Sequence, residues 1–216
     1  MENFDTASTA TLGRMPRYLK ALHVMRDGGV KYVSSTTLAK TVRENSAVVK
    51  KDLSYAIKRE GKPKVGYEVV GLISDIEDYL GYKNLKNAVL IGVGKLGQAL
   101  MGHGGFAKYG LNIVAGFDVD EKIIGKQVNG KTVFNLNTLS TYAQENGVKI
   151  GILSTPKQFA QTATDEIVKG GIRAIWNFTS SHLIVPQTVV VKNEDMASGL
   201  AILSKQLDDM LKKENK

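Results

Sequence analysis

The chain has 216 residues, 43% of them hydrophobic, and a net charge of +8, enough for one ordinary domain and a smaller one. The absence of cysteine excludes disulfides, thiolate catalysis and zinc ribbons and fits a reducing cytoplasm; the scattered His23, His103 and His182 give no metal site. No apolar run approaches the roughly 18 residues of a membrane span, and the polar start, MENFDTASTA, reads as a flexible tail over residues 1–13 rather than a signal peptide.

Apolar residues at Met15, Tyr18, Leu19, Leu22 and Met25 predict an amphipathic helix over Arg14–Met25, ended by Asp27-Gly-Gly29. Ser34-Ser35 offers a cap for a short helix through Leu38, Ala39 and Val42, and Ser46 a cap for a third, from Ala47 to about Arg59. That third helix has Val48, Val49, Leu53 and Ile57 for packing and Lys50, Lys51, Ser54, Tyr55 and Lys58 on another face. The tight spacing of the last two helices reads as a helix-turn-helix with the third as recognition helix. Gly61-Lys-Pro-Lys-Val-Gly-Tyr-Glu-Val-Val70 then predicts a hairpin, or wing, with Lys62 and Lys64 near its tip.

Charge supports the same division. Residues 1–66 hold 13 Lys/Arg against 6 Asp/Glu, a balance of +7, whereas residues 67–216 hold 16 against 15. A basic N-terminal part suits double-stranded DNA, although Lys50, Lys51 and Lys58 are alternatively a solvated helix face. Leu72, Ile73, Ile76, Tyr79 and Leu80 predict a linker helix ending at Gly81.

The stretch Asn87–Asp118 contains a strand, a glycine turn, a helix and a second strand. Ala88-Val-Leu-Ile91 runs into Gly92-Val-Gly-Lys-Leu-Gly97, where a dinucleotide site needs glycine for a tight turn, for access of a pyrophosphate and for close helix packing. Asp118 ends the second strand about twenty residues later, where a carboxylate binds adenosine ribose hydroxyls. No basic residue follows until Lys122, which favours NAD(H) over its 2′-phosphorylated form. A glycine turn without ligand is the simpler alternative.

Further on, Thr132-Val-Phe134, Val148–Ser154 and Arg173–Phe178 predict strands, with helices over Leu136–Asn146 and after Pro156, the latter packing through Phe159, Ala160, Ala163, Ile167 and Val168. This alternation implies an α/β fold: a Rossmann-like doubly wound parallel sheet whose ligand lies at the carboxyl ends of the strands. Thr155, Pro156, Asn177 and Phe178 fall at such ends and are candidate neighbours of the nicotinamide half, or ordinary loop residues. A last helix from about Glu194 repeats Met196, Leu200, Leu203, Leu207 and Met210, a seam that a partner subunit or the helix's own domain must cover.

Arg17-Tyr-Leu19, Val33-Ser-Ser35, Lys51-Asp-Leu-Ser-Tyr55, Val65-Gly-Tyr67, Gly92-Val-Gly-Lys-Leu-Gly97, Gly104-Gly-Phe106, Phe117-Asp-Val-Asp120, Gly171-Ile172 and Asn177-Phe178 together resemble the Rex family of redox-sensing transcriptional repressors. The resemblance implies a homodimer that releases a palindromic operator when NADH replaces NAD+. It also implies a winged helix-turn-helix domain at residues 14–81, a Rossmann domain at 84–193 and a domain-swapped C-terminal dimerisation helix at 194–216. The candidate cofactor contacts, from the glycine loop and the strand ends, are Gly92, Val93, Gly94, Lys95, Leu96, Gly97, Asp118, Thr155, Pro156, Asn177 and Phe178. The candidate DNA contacts are Ser35, Lys50, Lys51, Ser54, Tyr55, Lys58, Lys62 and Lys64, of which the resemblance itself carries over Lys50 and Lys51 as the basic pair of the recognition helix. His103, Asp195 and Met196 stand at switch or dimer-interface positions, and no metal or membrane is implied.

The chain departs from the family pattern in several places. Ala56-Ile-Lys-Arg59 replaces Phe-Gly and an aromatic, Pro63 replaces a wing arginine, His103 a tyrosine, Met196 an aromatic, and Thr179-Ser180 the usual Ala-Pro. The rival function is an NAD-dependent oxidoreductase with a basic accessory domain. Such an enzyme needs a substrate domain and a placed acid or base, and fewer than forty residues follow Asn177. A dinucleotide-binding interaction module without DNA is a third reading.

Overall fold

A computed structural model of the chain describes residues 7–58 and 61–214, apart from the side chain of Met196. The chain divides into two compact units, Met1–Asn84 and Leu85–Lys216.

The first unit contains α1 (Thr9–Asp27), β1 (Tyr32–Val33), α2 (Ser35–Val42), α3 (Ser46–Ala56), β2 (Tyr67–Glu68) and α4 (Val69–Tyr79). α1 begins inside the stretch expected to be a tail. The Ser8 hydroxyl accepts the Thr11 N–H, satisfying an end group of the first turn, and Thr11 is buried; residues 1–6 lie outside the described ones. Met15, Tyr18, Leu19 and Leu22 form its buried stripe, joined by Leu38 from α2, Leu53 from α3 and Ile76 from α4.

Ser34 caps α2 by accepting the Thr37 N–H. The turn into α3 passes through Arg43 at φ 56, and Glu44 N–H closes onto the Ala39 carbonyl. The cap of α3 is Asn45, not Ser46: its side-chain oxygen accepts the Ala47 N–H at 2.8 Å, which leaves Ser46 as the first helical residue. α3 stops at Ala56, short of the expected end near Arg59, which lies outside the described residues.

β1 and β2 pair antiparallel, with Val33 opposite Tyr67. Two residues are too short a strand for periodicity to reveal β1 in the sequence. Beyond them a Lys62–Gly66 bridge closes the wing's turn, with Lys64 left-handed at φ 64. Gly66 has no substitute there, because at φ 99 a Cβ would stand 2.4 Å from the Val33 carbonyl oxygen.

The second unit contains β3 (Lys86–Ile91), α5 (Lys95–Gly102), β4 (Leu111–Asp118), β5 (Gln127–Val128), β6 (Lys131–Asn135), α6 (Leu139–Glu145), β7 (Ile150–Leu153), α7 (Ala160–Lys169), β8 (Ala174–Asn177), β9 (Val190–Asn193) and α8 (Met196–Glu214). Its sheet runs β5-β6-β4-β3-β7-β8-β9, parallel throughout except for the β5–β6 hairpin. Val89, Leu90 and Ile91 are fully or almost fully buried because β3 lies mid-sheet. From β3 the chain crosses to β4 on one side and later to β7 on the other, so the sheet's switch point lies at the carboxyl end of β3.

α8 is different in kind. Leu200, Leu203, Leu207 and Met210 are 64%, 62%, 49% and 50% exposed, so its apolar seam is not covered by its own unit.

Candidate functional site

A cavity of about 670 Å³ opens at the switch point, lined by the Gly92–Leu96 loop, Asp118, Thr155, Pro156 and apolar walls that include Ile123 and Phe159. The three glycines that shape it have three different reasons to be glycine. Gly92 is at φ 91, and a Cβ there would lie 2.8 Å from the Ser154 and Thr155 backbone. At Gly97 a Cβ would lie 2.2 Å from the Gly92 carbonyl oxygen, so only glycine lets α5 approach the end of β3. Gly94 meets nothing within 4 Å. Space is left there for a ligand's backbone approach, at the start of a helix whose first N–H groups are directed outward.

Asp118 closes the loop from the neighbouring strand. One carboxylate oxygen accepts the Val93 N–H at 2.6 Å, and the other accepts from Val119 and Asp120 N–H at 2.7 and 3.0 Å. Ser154 donates to the Gly92 carbonyl at 2.8 Å and Gln98 to the Val93 carbonyl at 3.1 Å. The loop is thus prefolded. Thr155 also lines the cavity, and its hydroxyl is buried with no hydrogen-bond partner among the described residues.

Two expected cofactor residues are placed elsewhere. Asn177 is fully buried and its amide is used up: Nδ2 donates to Ser181 O and Asn193 Oδ1, and Oδ1 accepts from the Thr179 N–H and hydroxyl. Phe178 packs against Trp176 with ring centroids 4.7 Å apart. Neither is among the residues that line the cavity, because both side chains are committed to their own segment and to β9. Phe159, expected in the packing stripe of α7, is instead 52% exposed in the cavity wall, since it belongs to a 3-10 turn ahead of that helix.

In the first unit α3 turns Val49, Asp52, Leu53 and Ala56 inward and leaves Lys50, Lys51 and Ser54 exposed; Tyr55 is half-buried. The buried polar member sets the helix. Arg14 donates two hydrogen bonds to Asp52, at 2.6 and 2.8 Å, and the Tyr18 hydroxyl a third at 2.6 Å. Burial pushes the Asp52 carboxyl up, but hydrogen bonds from Arg14, Tyr18 and Thr11 and the Arg14 charge outweigh it and hold it below its ordinary value. Tyr18 is raised, by burial first and then by its bond to Asp52. Arg17 donates to the Val42 carbonyl at 2.7 Å, fixing the end of α2. Helical spacing from Val49 to Ala56 puts position 52 on the inward face, but nothing in it marks the partners of Asp52, which are 38 and 34 residues away.

Of the other basic residues, Lys58 lies beyond the end of α3 and donates to Asp78 at 2.9 Å. The Asp78 carboxyl is lowered by Lys83 first and Lys58 second. Lys62 donates to the Tyr32 hydroxyl at 3.3 Å and stands 5.3 Å above its ring, while Lys64 is exposed at the wing's tip. Ser35 is the half-buried first residue of α2.

The switch positions lie at the ends of helices. His103 follows α5, exposed, its ring edge-on to Phe106 at 4.6 Å. Asp195 accepts the Ala197 and Ser198 N–H groups at 3.0 and 3.2 Å, capping α8, and its carboxyl is lowered by a hydrogen bond from the Ser198 hydroxyl first and by the Ser198 N–H next. The side chain of Met196 lies outside the described residues. Among the described residues no cluster could hold a metal ion, and no helix is long and apolar enough to cross a membrane.

The chain thus joins a winged helix-turn-helix unit to a Rossmann-like unit with a prefolded glycine loop, the two-part architecture of a DNA-binding regulator. Two family models divide the chain in the same way: residues 7–54 match a putative DNA-binding protein N-terminus and residues 83–181 a CoA binding domain. A redox-sensing transcriptional repressor Rex of Bacteroides fragilis is 41% identical over 92% of this chain and 90% of its own. One from Treponema denticola is 42% identical over 88% and 90%. The crystal structure of RSP, a Rex-family repressor, matches with a TM-score of 0.87 at 30% identity over 98% of this chain and 99% of that one. RSP in complex with β-NAD+ and operator DNA matches at 0.88 with 31% identity, covering 97% of each chain. The chain belongs to the Rex family of redox-sensing transcriptional repressors.

Proposed function

We propose that this protein is a cytoplasmic, homodimeric repressor that binds a palindromic operator and releases it when NADH replaces NAD+. The observation that carries the reading is the cavity itself: a glycine loop held by Asp118 at the switch point of the sheet, with Thr155 and Pro156 in the same lining. The residues fit a dinucleotide. Gly94 and the first N–H groups of α5 receive the pyrophosphate, Asp118 the adenosine ribose, and Thr155 and Pro156 flank the nicotinamide half, with Phe159 as an apolar wall. The nicotinamide, when bound, supplies only its oxidation state as a signal.

On the other unit, Lys50, Lys51 and Ser54 of α3 face the major groove and Lys64 reaches a phosphate. Lys58 and Lys62, engaged with Asp78 and Tyr32, contribute less than the sequence suggests. The exposed seam of α8 is covered by a second copy, which pairs two reading units across a twofold site. Release then requires that NADH prefer one dimer conformation; a hundredfold preference is about 2.7 kcal/mol of coupling.

Fluorescence anisotropy of a labelled palindromic operator at fixed salt tests this. Tight binding that NADH reverses and NAD+ does not is the expected result. Steady turnover of NADH with a carbonyl substrate and no operator binding would return the protein to the oxidoreductases.

A further inference from the structure

The chain just before α8 is fastened to the end of β8 more firmly than a linker requires. Asn193 Oδ1 accepts from Asn177 Nδ2 at 2.8 Å, Glu194 N–H donates to the Asn177 carbonyl at 2.8 Å, and the Trp176 indole N–H donates to Glu194 Oε1 at 2.9 Å. The next residue, Asp195, is the cap of α8. With every described side chain of α8 exposed, these bonds and the cap set the direction in which the helix leaves its unit.

Trp176 also faces the other way. Its ring meets Phe106 at 5.5 Å, edge to face, and Phe106 meets His103 at 4.6 Å, also edge to face. His103 follows the last residue of α5, the helix whose first residues form the glycine loop. A continuous packed path therefore runs from the candidate cofactor cavity along α5, through His103, Phe106 and Trp176, to Glu194 and the root of α8. Lys192 Nζ also lies 3.8 Å from Glu194 Oε1, but it is two-thirds exposed and contributes little to holding it.

We infer that Trp176 and Glu194 are positioning residues of the switch, carrying a displacement of α5 on cofactor binding to the direction of α8. The inference rests on the NADH-gated repressor reading. Phe106 and Trp176, half-buried and in ring contact, pass on a shift that a solvated side chain would absorb. The indole N–H supplies the polar link that a leucine or phenylalanine at this place would lack.

Trp176 is the only tryptophan in the chain, so protein labelled with 5-fluorotryptophan gives a single 19F resonance from this site. NADH binding, followed separately by the cofactor's own fluorescence, is expected to shift that resonance, and Glu194→Ala to reduce the shift. Operator titrations with and without NADH supply the second readout. Trp176→Phe and Glu194→Ala are expected to keep cofactor-free operator affinity within about twofold while the NADH effect falls about tenfold; Glu194→Gln, which keeps an acceptor, restores most of it. An unmoved resonance at NADH saturation, or variants with the full NADH effect, would overturn the relay while leaving the repressor reading intact. Absence of NADH binding or of operator binding in the unaltered protein would sink the repressor reading, and the relay with it.

Discussion

The two units hold their functional elements by opposite means. In the first, α3 is fixed by side chains: an arginine and a tyrosine of α1 grip one carboxylate that is 1% exposed. In the second, the glycine loop is shaped by its backbone, whose glycines admit close approach, and side chains of Asp118, Ser154 and Gln98 only tie down its N–H and carbonyl groups. A side-chain clamp is sensitive to charge and pH. A backbone cradle is sensitive to a single methyl group.

Removing Asp52 should break the first unit most severely. Asp52→Ala leaves Arg14 and Tyr18 without their acceptor in a mostly buried place and is expected to cost about 3 kcal/mol, short of the full figure for a buried pair because Arg14 is 23% exposed on its side chain. Denaturant unfolding followed by circular dichroism, together with lost operator binding and retained NADH binding, would show that the damage stays in that unit. An equal loss of NADH binding would contradict it.

The matching break in the second unit is Gly97→Ala, whose methyl group meets the Gly92 carbonyl at 2.2 Å; about 2–3 kcal/mol of destabilisation and loss of NADH binding follow. Gly94→Ala sharpens the contrast. With nothing within 4 Å, it should unfold like the unaltered chain yet bind NADH at least tenfold more weakly, as titrated by cofactor fluorescence.

Acid should separate the units again. The Asp52 carboxyl is lowered from an ordinary value of 3.8, so its contribution is complete above about pH 4 and is lost as pH falls through its lower folded value. Thermal melts between pH 5 and 2.5 should show the first unit losing stability faster, and Asp52→Asn should flatten that dependence. The smallest expected effect is at Thr155. Thr155→Val relieves a buried, partnerless hydroxyl and should raise ligand-free stability by up to about 1 kcal/mol while weakening NADH several-fold.

Both functional elements were visible in the sequence to different depths. The glycine loop with its strand-end aspartate was legible because backbone sterics demand particular residue types at particular spacings, and the structure places Gly92, Gly94, Gly97 and Asp118 where that logic requires. The helix-turn-helix was legible from periodicity, but its cap at Asn45 and its end at Ala56 were not, because caps depend on local geometry that several neighbouring residues satisfy equally well. Lys58 looked like a reading residue only while α3 was assumed to continue past Ala56.

By itself the sequence determined the two-unit order, the glycine loop, the basic bias of the N-terminal part and the apolar seam of α8, since each is written in short-range spacing or composition. Tertiary structure alone decided that Asp52 is the clamp of α3, that Asn177 anchors the root of α8 instead of lining the cavity, and that Phe159 lines it. Those assignments depend on partners brought together across long stretches of chain, and spacing along the sequence holds no record of which distant group a buried polar atom will meet.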